Sequence, residues 1–293
     1  MIITNKLNLP EGFVRACDTK AHNEPGSVSA TTLLKGTKEI ILTERHWDEL
    51  EDDVANRVWA IWGTAVHSLL EIETPDTFVE ESVSAVVNRM EVTGRVDCYD
   101  PKNAVLYDYK TASVWKVLYK EFDDWRKQGL IYAWLLMKNG FAVKKCRFIA
   151  MLKDHSKSKA KYDASYPQSP VYVYEFDVTS VDLMEIESFI INKVLDIQAN
   201  NLLSDNAIPA CSEAERWAKP TTYAVMKPGR KTAIRVLDDK ALAEKMAAEQ
   251  GGGCYVEERK GTDGKCPEYC SCCEFCSYWK AFYGDKANEG VKE

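Results

Sequence analysis

Asp97, Asp108 and Lys110 stand in one stretch, MEVTGRVDCYDPKNAVLYDYKT over 90–111, whose pattern brings them together. Going in, Val92, Gly94, Val96 and Cys98 alternate with Thr93, Arg95 and Asp97. Coming out, Val105, Tyr107 and Tyr109 alternate with Leu106, Asp108 and Lys110, the period of two of a β-strand. Asp100-Pro101-Lys102-Asn103 between them is turn chemistry. A hairpin closed about that turn sets Asp97 opposite Asp108, with Cβ atoms roughly 4.5–5.5 Å apart, and Lys110 on the same face as Asp108. Two carboxylates that close raise one pKa unless a cation sits between them. The pair therefore reads as a site for Mg2+ or Mn2+, which take oxygen ligands and keep positions for water and phosphate oxygens. Such an ion activates a water and offsets charge on the attacked phosphorus, and a nearby ammonium steers the same step. The chemistry is metal-assisted phosphodiester hydrolysis. The plainer reading is a cross-strand ion pair between Asp97 and Lys110 on a solvated face.

Other residues widen the set. Gly63, His67 and Glu71 recur at intervals of four and share one helix face. His67 is a candidate third metal ligand, Glu71 a partner behind it, and Gly63 a place for close approach by a backbone or a phosphate. Gln128 and Tyr132, also four apart, offer an amide and a phenol to a phosphate, a base edge or a catalytic neighbour; alternatively they close the edge of the core. The segment KDHSKSKAKYDASYPQSP gathers Lys153, His155, Lys157, Lys159 and Lys161 near Tyr162 and Tyr166, a candidate contact for a phosphate backbone or simply a solvated face. Near the C-terminus, CPEYCSCCEFC holds Cys266, Cys270, Cys272, Cys273 and Cys276. So dense a set of thiols favours a shared soft metal. With Cys211, the residues Cys266, Cys270 and Cys276 supply four ligands for an iron–sulfur cluster or a zinc ion, the spacing deciding neither.

These residues need elements to carry them. Punctuated by Pro10, Gly12, Pro25 and Gly26, residues 1–26 read as a loosely packed lead-in. A short helix is expected within Ser27 to Leu42. The run Thr43 to Glu73 reads as helical with Thr43 as N-cap and a break near Asp53 to Ala55. Thr77 to Val87 reads as a strand with Glu80 and Glu81 exposed. A long helix from about Glu121 to Asn139 closes on Gly140 and carries Trp125 and Leu135 on the stripe with Gln128 and Tyr132. Strands follow at Lys144 to Leu152 and Val171 to Val178, then an amphipathic helix from Ser180 to about Asn200, capped by Thr179 or Ser180. From Asn201 the character changes to a small ββαβ appendage with a hairpin turning at Pro228-Gly229 and a helix over Lys240 to Gln250.

At 293 residues the chain has room for a substantial core plus an appendage. No apolar run approaches a membrane span, and the N-terminal residues carry no signal-peptide pattern, so a cytoplasmic location is expected. There ten cysteines point to metal rather than disulfides. The net charge of −7 does not advertise a nucleic-acid binder, yet a carboxylate-lined metal site accounts for part of it and basic groups can gather locally.

The succession GTAVHSLLE, GRVDCYD, LYDYKT and QGLIYAWLL resembles the RecB-like branch of the PD-(D/E)XK nuclease superfamily. The cysteine-rich end resembles the iron–sulfur members of that branch, such as AddB-type and CRISPR-associated nucleases. The likeness covers roughly residues 27–200 and implies a restriction-endonuclease-like αβα core, a central mixed sheet with helices on both sides, followed by a cysteine-rich metal-bound appendage over 201–293. It implies His67, Asp97 and Asp108 as metal ligands, Lys110 as the catalytic lysine, and Gln128 and Tyr132 as the helix motif beside the substrate. It also implies a cluster, of the 4Fe–4S type or a zinc ion in its place, on Cys211, Cys266, Cys270 and Cys276. Members with the cluster take a first cysteine from upstream of the histidine motif. The stretch ATTLLKGTKEIIL has none, so Cys211 or Cys17 takes that role. The expected function is a Mg2+- or Mn2+-dependent DNA exonuclease of recombination, repair or phage DNA processing in a bacterial or phage-infected cell. It would act on DNA ends, alone, as a ring-like oligomer, or with a helicase or recombinase. The competing reading is a nucleic-acid-binding module that keeps the cysteine-metal site and does no chemistry.

Overall fold

The structure, a computed structural model, describes residues 1–17, 24–72 and 76–289, with side chains as far as 284. It divides into two units, Met1–Ile41 with Trp47–Leu202, and Leu42–His46 with the chain from Leu203 onward. In chain order the first holds β1 (Ile2–Thr4), α1 (Glu11–Cys17), β2 (Ser27–Ser29), α2 (Ala30–Leu33), α3 (Thr37–Arg45), β3 (Glu51–Asp53), α4 (Val58–Leu70), β4 (Phe78–Val87), β5 (Met90–Asp100), β6 (Val105–Ala112), α5 (Val114–Leu118), α6 (Asp123–Lys138), β7 (Lys145–Leu152), α7 (Lys157–Tyr162), β8 (Val171–Asp177) and α8 (Ser180–Asn200). The last residues of α3 cluster with the second unit.

Alternation decides the sheet. In β7, Cys146, Phe148, Ala150 and Leu152 are buried and the residues between them are not, so one face packs and the other is partly open. Among the described residues the sheet has six strands, ordered β2-β5-β6-β7-β8, with β4 paired to β5. It is mixed: β2/β5 and β6/β7 run parallel, β4/β5, β5/β6 and β7/β8 antiparallel. One face is covered by α6, every residue of which from Gly129 to Leu136 is buried. Cys146 Sγ lies 3.6 Å from Gly129 O, and a Cβ on Gly129 would come within 3.0 Å of Phe148. Helix α8 is clamped to α6 by Arg126–Asp182 and Lys138–Glu187, both at 2.6 Å, and it starts on a capping box of Thr179 and Asp182. On the other face α4 runs beside β6: Gly63 faces Thr111 Oγ1, and the His67 ring meets Tyr109 edge-on at 6.5 Å. Thr111 and Tyr109 point away from the side that carries Asp108 and Lys110. The expected mixed α/β sheet with helices on both faces is what forms.

Three local expectations change. The lead-in is structured: β1 pairs parallel with β3, Asp53 Oδ2 accepts from Thr4 Oγ1 at 2.8 Å and from Lys6 N at 2.9 Å, and Cys17 is buried. Residues 18–23 of it lie outside the described set, as does Glu73. Thr43 is not an N-cap but sits inside α3, because the helix begins earlier, at Thr37. The break foreseen near Asp53 is there, as β3 followed by a 3-10 turn that Asp53 caps through Ala55 N. The basic loop folds in part as α7, capped by Ser156.

In the second unit come α9 (Glu213–Arg216), β9 (Ala218–Lys219), β10 (Thr222–Met226), β11 (Arg235–Leu237), α10 (Lys240–Gln250), β12 (Tyr255–Arg259), β13 (Thr262–Asp263) and α11 (Ser277–Glu289). Strands β11-β10-β12 form an antiparallel sheet on which α10 packs through Ala243 and Ala247 against Val225. No helix among the described residues is long and apolar enough to cross a membrane.

Candidate active site

The site grows from a fault in β5. Along one edge β5 pairs with β4 throughout, but the other edge is shared: β2 takes Glu91 to Thr93 and β6 takes Cys98 to Asp100. Between these, no strand among the described residues pairs with the backbone from Gly94 to Asp97 on that edge. The β4/β5 ladder also skips one rung, Glu80 opposite Asp97, while keeping its register on both sides. Glu80 is left-handed there, φ 53°, a conformation that costs a non-glycine residue energy and gathers at functional sites. Side chains show the slip. Gly94 faces α6, and so does Tyr99, which lies opposite Leu106 and, through it, Cys146. Strict alternation cannot put residues five apart on one face, so the pleat changes phase near Asp97 and turns its carboxylate to the sheet's open end.

That phase change assembles the charges. Asp97 Oδ2 accepts the Tyr109 N–H at 2.7 Å, in place of a ladder bond. Asp97 Oδ1 lies 3.4 Å from His67 Nδ1, and Glu80 Oε1 lies 3.9 Å from the same nitrogen. His67, Glu80 and Asp97 each offer a ligand atom, all mutually within 4.8 Å, and no other group of three or more His, Cys, Asp or Glu among the described residues does so. Asp108 stands behind them, its side chain 3% exposed, with Lys110 Nζ at 2.6 Å; the contact has ion-pair distance without hydrogen-bond alignment. Burial pushes the Asp108 carboxyl above its usual range, Lys110 opposes the rise, and Asp97 adds to it. Glu80 is raised by burial against the pull of Arg95. His67 is raised chiefly by its hydrogen bond to Asp97, against desolvation.

Helix α6 lies against the gap in the sheet. A Cβ on Gly94 would fall 2.7 Å from Leu135 Cδ1 and 2.9 Å from Tyr132, so only glycine lets the helix come this close. Tyr132 is 7% exposed and receives a 3.2 Å hydrogen bond from Gln128 Nε2. Burial, then Asp108, holds its phenol far above the usual range.

The structure thus brings together His67, Asp97, Asp108, Lys110, Gln128 and Tyr132, and it adds Glu80 and its ion-pair partner Arg95. Glu80 was expected to be exposed; its side chain is 16% exposed. The only sequence sign was its place one strand away from Asp97. Glu71, expected behind His67, is an exposed residue at the C-terminal end of α4, its N–H bonded to His67 O and its charge within electrostatic reach of Glu80. Among the described residues, the nearest atom to the Cβ position of Gly63 is Thr111 Oγ1 at 3.9 Å. In the basic segment Tyr166 is buried and His155 Nε2 pairs with Pro167 O at 2.7 Å, while Tyr162 stays 80% exposed.

Within the second unit, Cys266 lies in electrostatic reach of Cys270, Cys211 and Cys276, and burial with Asp263 pushes its thiol up to about 12. Cys270 and Cys272 sulfurs are 3.7 Å apart. Asp263 anchors this corner, accepting from Tyr278 Oη at 2.9 Å and Tyr283 Oη at 3.0 Å and pairing with Arg216. No three of the described cysteines fall mutually within 4.8 Å, whereas zinc–sulfur bonds of about 2.3 Å hold thiolates about 3.8 Å apart.

No protein-family model matches the chain, and no curated protein matches it. Solved structures do. The protein SSO0001 is 14% identical, over 62% of this chain and 83% of its own, with a TM-score of 0.45. The alkaline exonuclease LHK-Exo of Laribacter hongkongensis is 10% identical, over 60% and 90%, at 0.35. A phage related exonuclease from Haemophilus somnus 129PT is 12% identical, over 58% and 75%, at 0.30.

Proposed function

We propose that the chain is a Mg2+- or Mn2+-dependent deoxyribonuclease acting on DNA ends as an exonuclease. Its setting would be DNA recombination, repair or phage DNA processing in the cytoplasm of a bacterial or phage-infected cell, with a helicase or recombinase as working partner. The observation that carries the reading is the meeting of His67, Glu80 and Asp97 within 4.8 Å, beside a buried Asp108 that keeps Lys110 at 2.6 Å. Oxygen and imidazole donors suit a hard or borderline divalent ion, and three acids drawn together with a raised Glu80 and Asp108 are a site that a cation stabilises. His67, Glu80 and Asp97 would hold it, with Asp108 completing the set. When bound, the ion supplies Lewis acidity and lowers the pKa of water.

The chain's own residues do the rest. Tyr109 N–H fixes one Asp97 oxygen and leaves the other facing His67. Lys110, held by Asp108, offers a cation to the charge that builds on the phosphate. Gln128 and Tyr132, bonded to each other on a rigid helix, are placed to orient the strand. In the second unit, Cys211, Cys266, Cys270 and Cys276 would hold an iron–sulfur cluster or, in its place, a zinc ion, a reading supported by the electrostatic reach of Cys266 to the other three; iron and sulfide analysis against zinc analysis decides between them.

Linear DNA incubated with the purified protein and Mn2+ tests the reading. Cleavage is expected, falling about 100-fold or more in Asp108→Ala and in Lys110→Ala. No cleavage by the parent, or undiminished cleavage by both variants with their folds intact, overturns it.

A further inference from the structure

Helix α4 is out of keeping with its surroundings. Its thirteen residues, VWAIWGTAVHSLL, include no Asp, Glu, Lys or Arg, and none of them is buried. A helix apolar all round belongs in a core; this one leaves Trp59 58% exposed and Trp62 54% exposed. Exposed indoles three apart on one helix are neighbours, and an uncovered apolar face of this kind marks a contact surface.

The face has a direction. Trp59, Gly63 and His67 follow at intervals of four, so one stripe about 12 Å long joins the indole to the imidazole of the candidate site. The helix runs back along β6: His67 meets Tyr109, Gly63 meets Thr111, and Trp59 lies under the ammonium of Lys153, 3.8 Å from its ring centre. Lys153 N bonds to Ala112 O at 3.0 Å, so the backbone that carries this cation is tied to the strand end that follows Lys110 and Thr111. Beyond that end α5 shows a second exposed pair, Trp115 and Tyr119, stacked at 5.6 Å.

We infer that the Trp59 and Lys153 corner is a subsite for an unpaired nucleotide of a single-stranded DNA segment leading into the site, the base stacked on the indole face opposite the ammonium and an adjoining phosphate held by the ammonium. Flat rings beside a cation fit bases and phosphates, which alternate along a single strand. An aliphatic protein partner needs neither the rings' planes nor the charge. The inference rests on the nuclease reading for what lies at the His67 end, but its own test does not involve cleavage.

Binding of a labelled single-stranded oligodeoxynucleotide is read by anisotropy in EDTA, where no hydrolysis intervenes. Trp59→Ala is expected to weaken it about tenfold, Trp59→Phe to keep most of the affinity, and Lys153→Gln to reduce the slope of log affinity against log salt by about one. An oligonucleotide of abasic sites should bind the parent and Trp59→Ala alike. If parent and Trp59→Ala bind intact DNA equally, the subsite does not exist. If the parent proves dimeric and Trp59→Ala monomeric, the face belongs to a second copy and the inference fails. A parent that binds through Trp59 yet never cuts DNA upholds the subsite and sinks the nuclease reading instead.

Discussion

Among single residues, Glu80 separates the reading of letters from the reading of geometry. By alternation it and Glu81 take opposite faces of the strand, and nothing in the letters EE says which of the two faces a ligand site and which faces solvent. A left-handed backbone at φ 53° turns Glu80 toward His67 and Asp97, and Glu81 stays exposed. Glu80→Gln is therefore expected to lower Mn2+-dependent cleavage roughly ten- to 100-fold, with Glu81→Gln close to the parent; equal effects in a cleavage assay would remove Glu80 from the site. Gly94 offers a test of packing. Gly94→Ala forces a methyl against Leu135 and Tyr132, with an expected loss of about 1–3 kcal/mol in a urea melt. That Asp97, Asp108, Lys110 and His67 come near one another was legible in the sequence, because strand and helix periods set each of them on a definite face. The places of Glu80 and Arg95 were not, since they depend on a backbone fault that leaves no mark in composition.

At the scale of elements, periodic segments were the readable ones. β5, β6, β7, β8, α6 and α8 lie within a few residues of where alternation and caps set them, because each buries one face of a single sheet. Short elements escaped. β1 and α1 are held by Asp53 and by Arg57, whose Nη1 bonds to Cys17 O at 2.7 Å, contacts distant in sequence that no window along residues 1–26 contains. Thr43 looked like a cap because Thr precedes an apolar periodic run; the helix already under way from Thr37 overrides it. Helix α8 allows a clean measurement of capping: Thr179 accepts from Asp182 N, and Asp182 accepts from Thr179 N at 3.0 Å. Thr179→Ala should cost about 1 kcal/mol by denaturant titration, and no loss would mean that tertiary packing alone fixes this helix start.

On the scale of the molecule, the second unit adds a charged cluster and a group of thiols to its small apolar core of Val225, Ala243 and Ala247. In the second, Asp205 takes Arg45 at 2.6 Å and His46 at 2.7 Å, and the His46 ring stacks on Phe275 at 3.8 Å. His46 first, then Arg45, holds the Asp205 carboxyl below its ordinary range. A carboxyl depressed in the folded state contributes stability that is complete above its unfolded pKa and is lost as pH falls through the folded value. The second unit should therefore weaken in acid, and Asp205→Asn should flatten that acid limb in thermal melts taken across pH. An unchanged limb would place the acid sensitivity elsewhere.

One bond in the first unit reaches furthest. The Tyr109 amide gives its hydrogen to Asp97 rather than to a neighbouring strand, so a candidate ligand doubles as the fastener of the strand that carries Lys110. That single proton is a reporter planted inside the site: its exchange with deuterium slows or quickens with the seating of one carboxylate, and adding or stripping a divalent cation can be followed there with no substrate in the tube.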